Sequence, residues 1–203
     1  MPEEAQAPIE PRQEKPFTLR LPLGPEDRAL EALSSGDSLE LEGELIVARD
    51  QAHLRLLAMM DRGEPLPFDP VGQAIFYMGP SPAPPGRIIG SAGPTTAGRM
   101  DPMTLPFLER GVKVLVGKGR RSQGVRDALF RYGAVYLAAI GGAGALYSER
   151  IGRVEVLAFP ELGPEALLRI SVSAFPAVVI HDLRGGDQYE SGPKAYRTQG
   201  DTW

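Results

Sequence analysis

The stretch VKVLVGKGRRSQGVRDALFRYGAVYLAAI, residues 112–140, decides the fold class of this chain. Its two apolar runs, 112–116 and 135–140, have the length of buried strands, and the segment 123–132 between them has the apolar spacing of a helix. A strand, a helix and a second strand in succession are typical of a sheet with helices packed against it. The sequence therefore predicts an α/β protein.

The alternation of strands and helices continues on both sides of this stretch. Further strands are predicted at 17–23, 38–48, 74–78, 154–159 and 177–182, and further helices after Pro25 and at 51–62, 143–150 and 164–170. The segment 38–48 is either one strand or a hairpin bent at Gly43. Asp50 is expected to cap the helix 51–62, with Leu54 and Leu57 facing the core, which places Arg49 at a strand-to-helix corner.

The predicted elements form one domain with a polar segment at each end. We expect a flexible, proline-containing arm at 1–16, a single domain at 17–189 and a tail at 190–203. The tail belongs to a polar segment that begins at Gln188 and is expected to be irregular. The arm is acidic where a secretory signal would be basic and then apolar, so we expect a cytoplasmic protein.

The composition excludes several classes of function. The 26 Asp and Glu residues outnumber the 22 Lys and Arg residues, and the formal charge of −4 disfavours a nucleic-acid partner. The chain contains no Cys, so it offers neither a thiol nucleophile nor thiolate ligands for a metal. The longest uncharged stretch, 132–148, is interrupted by glycines, and no membrane-spanning helix is expected.

Three glycine-rich corners each follow an apolar strand. They are GSAGPTTAGRMD at 90–101, VGKGRRS at 116–122 and IGGAG at 140–144. Glycines allow successive backbone N–H groups to face one anion, so each corner is either a candidate anion site or simply a tight turn. None has the GxGxxG pattern or the ending of a P-loop, which disfavours nucleotide binding.

The polar residues of the first corner are the least ordinary feature of the sequence. Thr95, Thr96, Arg99 and Asp101 combine hydroxyls, a forked cation and a carboxylate within seven residues. Their alternative interpretation is structural: a threonine caps the following helix, and Arg99 and Asp101 form a surface ion pair. Lys118 lies between two glycines and has little to pack against, so it is also a candidate.

The histidines and the remaining basic run carry weaker signals. His53 lies in the first turn of a predicted helix and is either a local structural partner or a residue that orients a group at the corner. His181 precedes a Gly-Gly turn and is expected to be solvated, and Arg120 and Arg121 are expected to be an exposed charge run.

Five segments together resemble the beta half of the class I, iron–sulfur fumarate hydratases. They are GDSLELEGELIVARDQAH at 36–53, GPTTAGRMD at 93–101, GKG at 117–119, GGAGAL at 141–146 and ELGPEALLRISVSAFPAVVIHD at 161–182. The beta subunit of the related L-tartrate dehydratase shares these segments. His181 departs from the pattern, because related chains commonly have an acidic residue there.

The resemblance implies a fold, a partner and a reaction. The fold is a swivelling three-layer β/β/α domain similar to the mobile domain of aconitase. The partner is an alpha subunit that holds a [4Fe–4S] cluster, and a beta–beta homo-oligomer is a further expectation. The substrate is a small dicarboxylate, and the reaction is the reversible hydration of fumarate to malate or, as the alternative, the dehydration of tartrate.

The resemblance also implies roles for individual residues. Arg49, Arg99 and Lys118 correspond to contacts to the substrate carboxylates, and Thr96 and Gly142 beside them are further substrate-binding candidates. Thr95 corresponds to the base that takes the C3 proton of malate. Asp101 is the second catalytic candidate, with the alternative that it orients Arg99. An interpretation of another class is a non-catalytic module for dicarboxylate binding or assembly.

Overall fold

The computed structural model describes residues 16–197 and shows a mixed α/β protein, as the sequence predicts. The seven strands are β1 Phe17–Leu21, β2 Ser38–Val47, β3 Ala74–Phe76, β4 Val114–Gly117, β5 Val135–Ala138, β6 Ile151–Ala158 and β7 Leu167–His181. The α-helices are α1 Asp50–Asp61, α2 Asp101–Glu109, α3 Gln123–Tyr132, α4 Gly144–Glu149 and α5 Gln188–Ala195. Short 3-10 helices cover Ala29–Ala32, Ala97–Met100 and Pro160–Glu165.

All seven strands belong to one sheet with the order β1-β2-β3-β4-β5-β7-β6. Strands β2 to β5 pair in parallel, whereas β7 is antiparallel to β5 and β6. Strand β7 also pairs with β2, antiparallel, from Leu168 to Val178. Because β7 joins β5 back to β2, the sheet folds over and closes on itself.

The closed sheet has a hydrophobic core on each of its two faces. Val114 and Val116 of β4 point inward and pack with residues of the other strands, such as Phe175 of β7. Leu115, between them, points outward and packs with helical residues, such as Phe107 of α2. The core is therefore dominated by the sheet. The likeness to the mobile domain of aconitase stays a prediction.

The prediction of a helix at 164–170 is wrong, because this segment contains the start of β7. Its side chains alternate between buried and less buried positions from Leu168 onward, and β2 and β6 flank it on either side. Arg169 reaches Glu44 of β2 and Glu155 of β6, each at 3.6 Å. The hydrogen bonds of β7 to a strand on each of its edges outweigh the helix-like spacing of its apolar residues. Apolar spacing alone cannot predict such pairing, because the partner strands lie elsewhere in the sequence.

Residues 38–47 form one continuous strand, so the hairpin alternative at Gly43 is excluded. The register of β2 against β7 shifts between Leu41 and Gly43, and Gly43 has φ of 106°. A Cβ at Gly43 would lie 2.0 Å from the carbonyl oxygen of Leu21 in β1. Gly43 thus lets β1 approach β2 closely at this irregularity.

Four further predictions need correction. The segment after Pro25 forms only the short 3-10 helix Ala29–Ala32. Helix α1 begins at Asp50, so Asp50 is not its cap, and Leu54 is 51% exposed rather than buried. Part of the predicted irregular tail is helix α5, whose first turn is capped by the Asp187 carboxylate through the N–H of Tyr189 at 2.9 Å.

Most of the predicted arm and the end of the tail, residues 1–15 and 198–203, lie outside the described residues. Within 16–197, no helix is long and apolar enough to cross a membrane.

Candidate active site

The candidate residues lie where four neighbouring parallel strands end. Strand β2 leads into Arg49, β4 into Lys118 and β5 into the turn with Gly142, while β3 leads into the segment that contains Thr95. Because β2, β3, β4 and β5 run in parallel, their carboxyl ends meet at one edge of the sheet. The carboxyl ends of parallel strands are where α/β proteins with open or closed sheets commonly form ligand sites.

The backbone of Thr95 lies between the ends of β3 and β4. The Thr95 N–H donates to the carbonyl oxygen of Tyr77 at 2.7 Å, and the Lys118 N–H donates to that of Thr95 at 3.2 Å. The Ala97 N–H then donates to the Lys118 carbonyl oxygen at 2.8 Å. Hydrogen bonds therefore fix Thr95 and Lys118 side by side, as an extension of the sheet. Thr96 forms an isolated bridge with Lys118, and its side chain is exposed.

Arg99 links Thr95 to the corner that holds Arg49. Its Nη2 atom donates to Thr95 Oγ1 at 2.5 Å and to Asp50 Oδ2 at 3.1 Å. The same Asp50 oxygen lies 3.4 Å from Arg49 Nε. Asp50 thus bridges the two guanidinium groups, and Arg99 supplies a positive charge at the Thr95 hydroxyl.

The Arg49 side chain is held from its other side as well. Its Nη2 lies 3.2 Å from Glu165 Oε1, and the second oxygen of Glu165 accepts the Gln51 N–H at 2.8 Å. The guanidinium packs so closely on Gly79 that a Cβ there would lie 2.5 Å from Arg49 Nη1. Glycine at position 79 is therefore required for this placement of Arg49.

Two of the glycine-rich corners pack against each other beside Lys118. A Cβ on Gly141 would lie 3.5 Å from Lys118 Cδ and 3.8 Å from its Nζ. Gly144 in turn contacts Gly93, and its carbonyl oxygen accepts the Ala92 N–H at 2.9 Å. Gly142 has φ of 85°, and no heavy atom lies within 4 Å of its would-be Cβ, so Gly141 and not Gly142 is the residue of this turn that contacts Lys118.

Asp101 does not join this group, and the expectation that it orients Arg99 is wrong. Its two oxygens accept from Arg121 Nε at 2.6 Å and from the Ser122 N–H at 2.5 Å. The reason is topological: helix α2 begins at Asp101, and its first turn faces the loop after Lys118 rather than Arg99. Asp50, which the sequence suggested only as a helix cap, occupies the place beside Arg99.

Arg121 is buried, so the expectation of an exposed charge run is wrong for this residue. Its side chain is 0% exposed and lies between the rings of Tyr77 and Tyr136, at 5.3 and 5.1 Å from their centroids. Burial opposes the charge, but Tyr77 and the Asp101 carboxylate outweigh it and raise the pKa of Arg121. This buried cation connects helix α2, which directly follows the 3-10 helix of Arg99, to the loop after Lys118.

Both histidines are buried. His53 packs between Tyr77 and Phe107, and its Nδ1 lies 3.0 Å from the carbonyl oxygen of Arg49. Burial lowers the pKa of His53 to about 4, so the ring is neutral near pH 7 and its Nδ1–H donates to Arg49. His53 is therefore a local structural partner of Arg49. Burial also lowers the pKa of His181, which is not the solvated residue that the sequence suggested.

The resulting group, called the cationic edge below, consists of Arg49, Thr95, Arg99 and Lys118 with the carboxylates of Asp50 and Glu165. The ion pairs among residues 16–197 engage both arginines but leave Lys118 without a carboxylate. Forked guanidinium groups form short, directional bonds to carboxylates, so the arrangement suits a small anion with more than one carboxylate. Glu165 was not among the residues predicted from the sequence. It lies in the 3-10 helix Pro160–Glu165, more than 100 residues after Arg49, and nothing in its local sequence indicates that the two side chains meet.

The described residues contain no group of three or more His, Cys, Asp or Glu side chains arranged to hold a metal ion. Together with the lack of Cys anywhere in the sequence, this means that the residues seen here do not fit an iron–sulfur cluster. Any such cluster would need ligands that this sequence does not supply.

Comparisons with known proteins agree on one family. The family described as Fumarase C-terminus matches residues 2–192. Fumarate hydratase 2 of Leishmania major is 45% identical over 170 residues, 81% of this chain and 30% of that protein. The aerobic class I fumarate hydratase of Salmonella typhimurium is 44% identical over 75% of this chain and 27% of its own length.

A third relative has a length similar to that of this chain. A protein of Methanocaldococcus jannaschii, provisionally named L(+)-tartrate dehydratase subunit beta, is 37% identical over 78% of this chain and 84% of its own length. The chain thus spans less than a third of the two fumarate hydratases but most of the subunit.

Proposed function

Since this chain belongs to the Fumarase C-terminus family, we propose that it is the beta subunit of a heteromeric class I fumarate hydratase, which interconverts fumarate and (S)-malate. The observation that carries the proposal is the convergence of Arg49, Thr95, Arg99 and Lys118 at one edge of the sheet. These are the four residues to which the resemblance assigns the substrate contacts and the base. Thr95 and Arg99 share one corner of the chain, but Arg49 and Lys118 come from two others, so the proximity of the three corners does not follow from their positions in the sequence.

In this proposal the cations bind the substrate. The Arg49 and Arg99 guanidinium groups and the Lys118 ammonium neutralise the two carboxylates of the dicarboxylate. Arg49 and Arg99 are already oriented by Asp50, and Arg49 by Glu165, so little side-chain freedom remains to be lost on binding. Orientation of this kind favours a fixed substrate pose, which the reaction needs because loss of water is stereospecific.

Thr95 is the proposed base for the proton on C3 of malate. A threonine hydroxyl is a poor base unless nearby cations stabilise its alkoxide form. Arg99 Nη2 at 2.5 Å provides this stabilisation, and Lys118 is linked to Thr95 through the backbone. Asp101 is left out of the proposed chemistry, because both of its oxygens are engaged by Arg121 and Ser122.

The remaining half of the site belongs to a partner in this proposal. The fumarate hydratases that resemble this chain are more than three times as long as their matched regions, so an alpha subunit would supply the missing length. The [4Fe–4S] cluster is assigned to that subunit, since this chain lacks thiolates. A swivelling movement that closes the cationic edge over the substrate, a cytoplasmic location and a beta–beta contact stay predictions.

The experiment is reconstitution with the alpha subunit. The two chains are co-purified, the cluster is rebuilt anaerobically, and the absorbance of fumarate is followed. We expect reversible hydration of fumarate, with neither chain active alone. A complex that assembles with its cluster but turns over neither fumarate nor malate would contradict the proposal.

L(+)-tartrate dehydratase is the second candidate. It is favoured by the match to the M. jannaschii subunit, which this chain covers over 84% of its length. The same reconstituted complex is tested with L(+)-tartrate. Turnover of tartrate without hydration of fumarate would establish this alternative, and absence of both activities would favour the non-catalytic module.

A further inference from the structure

We infer that Tyr189, on the C-terminal helix α5, is a positioning residue that holds the loop carrying Lys118. The inference rests on the proposed function, because that function makes Lys118 a substrate contact. Tyr189 is outside the cationic edge, and it belongs to the polar segment that the sequence suggested to be irregular.

Tyr189 contacts the loop directly after Lys118 at two points. The Gly119 N–H donates to Tyr189 Oη at 3.2 Å, and Arg120 Nη2 donates to the Tyr189 carbonyl oxygen at 2.9 Å. The Arg120 guanidinium carbon also lies 5.8 Å from the centroid of the Tyr189 ring. Both the backbone and a side chain of the loop are therefore bound to one residue of α5.

The other polar groups of the loop are bound on the sheet side. Tyr136 Oη donates to the Gly119 carbonyl oxygen at 2.9 Å, and the Lys118 N–H and C=O pair with Thr95 and Ala97. Gly119 has φ of 83°, a conformation open to glycine, so the residue has many alternative conformations once a contact is lost. The Tyr189 hydroxyl is the contact that fixes its amide from outside the sheet.

Helix α5 is itself anchored, so that Tyr189 is a fixed point. The Asp187 carboxylate accepts from the Tyr189 N–H at 2.9 Å and from Arg126 Nη1 of α3 at 2.7 Å. The same Arg126 nitrogen lies 2.9 Å from Glu190. The anchor does not involve the Tyr189 hydroxyl, and removal of that hydroxyl leaves α5 in place.

The effect on the reaction follows from the different roles of the loop and of Thr95. Loss of the Tyr189 hydroxyl leaves the Gly119 amide without its protein acceptor, and Lys118 spends less time in the position that meets the carboxylate. Lys118 contributes to substrate binding, whereas proton transfer is assigned to Thr95. The Michaelis constant is therefore expected to change more than the turnover number.

The test compares Tyr189→Phe with Tyr196→Phe, a matched control whose residue is 72% exposed just beyond α5. Amide hydrogen exchange of Gly119 is measured by NMR in the full chain, and KM and kcat for malate are measured in the reconstituted complex. We expect Tyr189→Phe to speed Gly119 exchange and to raise KM about three- to tenfold with kcat within about twofold, the range for one lost hydrogen bond. Tyr196→Phe should change neither quantity.

Two results would overturn the inference: unchanged exchange of Gly119 in Tyr189→Phe, or faster exchange with an unchanged KM. A loss confined to kcat would also overturn it, since the loop carries Lys118, which is assigned to substrate binding, and not Thr95, which is assigned to proton transfer. If the wild-type complex turns over none of malate, fumarate and tartrate, it is the proposed function that fails. The exchange of Gly119 then still decides whether Tyr189 holds the loop.

Discussion

Arg99 reaches two oxygen atoms with one nitrogen, Thr95 Oγ1 at 2.5 Å and Asp50 Oδ2 at 3.1 Å. Arg99→Lys keeps the charge, but it shortens the side chain and removes the second guanidinium nitrogen, which in the proposed function binds the substrate carboxylate while Nη2 holds Thr95 and Asp50. We expect kcat/KM of the assembled enzyme to fall roughly a hundredfold, which is about 3 kcal/mol of transition-state binding. Arg55→Lys is the control, because Arg55 is exposed on α1 and pairs only loosely with Glu161. Equal values of kcat/KM for Arg99→Lys and Arg55→Lys would show that Arg99 does not belong to the active site.

The neighbouring threonines provide a matched pair. The hydroxyl of Thr95 is bonded to Arg99, whereas the Thr96 side chain is exposed beside Lys118. Thr95→Ala should abolish nearly all turnover with substrate affinity largely kept, and Thr96→Ala should weaken binding a few-fold with turnover preserved. Steady-state kinetics and substrate titration of the complex measure both effects. Persistent turnover in Thr95→Ala would assign the base to the partner.

His53 makes stability depend on pH. Its pKa is about 4 in the folded chain against an ordinary value of 6.5, so the unfolded chain binds a proton first as the pH falls. The stability due to neutral His53 is complete above pH 6.5 and is lost as the pH falls to 4, a change of about 3 kcal/mol. Urea unfolding at a series of pH values measures it, and His53→Gln should flatten the slope. If the free energy of unfolding of the wild-type chain and of His53→Gln changed equally with pH, this prediction would be contradicted.

At the scale of elements, β2 and β7 organise the molecule. Strand β2 pairs with β1, β3 and β7, and β7 pairs with β2, β5 and β6. These pairings explain why 164–170 is not a helix and why 38–47 is not a hairpin. The strand next to Arg49 is thus held on both edges, which makes its end a rigid position for a site residue.

Gly43 is the position in β2 at which we expect a substitution to reduce the free energy of unfolding most. With φ of 106° and the Leu21 carbonyl oxygen 2.0 Å from a Cβ, Gly43→Ala requires backbone movement in β1. We expect a loss of at least about 2 kcal/mol in the free energy of unfolding. Gly124→Ala is the control: it lies in α3 with nothing within 4 Å and should stabilise by up to about 1 kcal/mol. Denaturant unfolding of both variants measures this, and equal effects would refute the close approach of β1.

At the scale of the whole molecule, the proposed function makes the cationic edge one half of a site. Asp50 and Glu165 offset part of its positive charge, and it lies at the carboxyl ends of the parallel strands β2 to β5. The isolated chain should therefore bind malate only weakly, with a dissociation constant well above micromolar, while the assembled complex binds tightly. Isothermal titration compares the two. Micromolar binding by the chain alone would favour the non-catalytic module.

The α/β class, the family and the corners that hold Arg49, Thr95, Arg99 and Lys118 could all be predicted from the amino-acid sequence. These features are local: periodicity marks strands and helices, and short motifs keep their residues together along the chain. Other features are visible only in the folded chain: Asp50 rather than Asp101 meets Arg99, Arg121 and His53 are buried, and Tyr189 binds the Lys118 loop. The partners in these contacts lie far apart in sequence, as Arg99 and Asp50 do at a separation of 49 residues. Such contacts depend on the order of the strands in the sheet and on the face that each helix presents to its neighbours. No local sequence pattern contains that information.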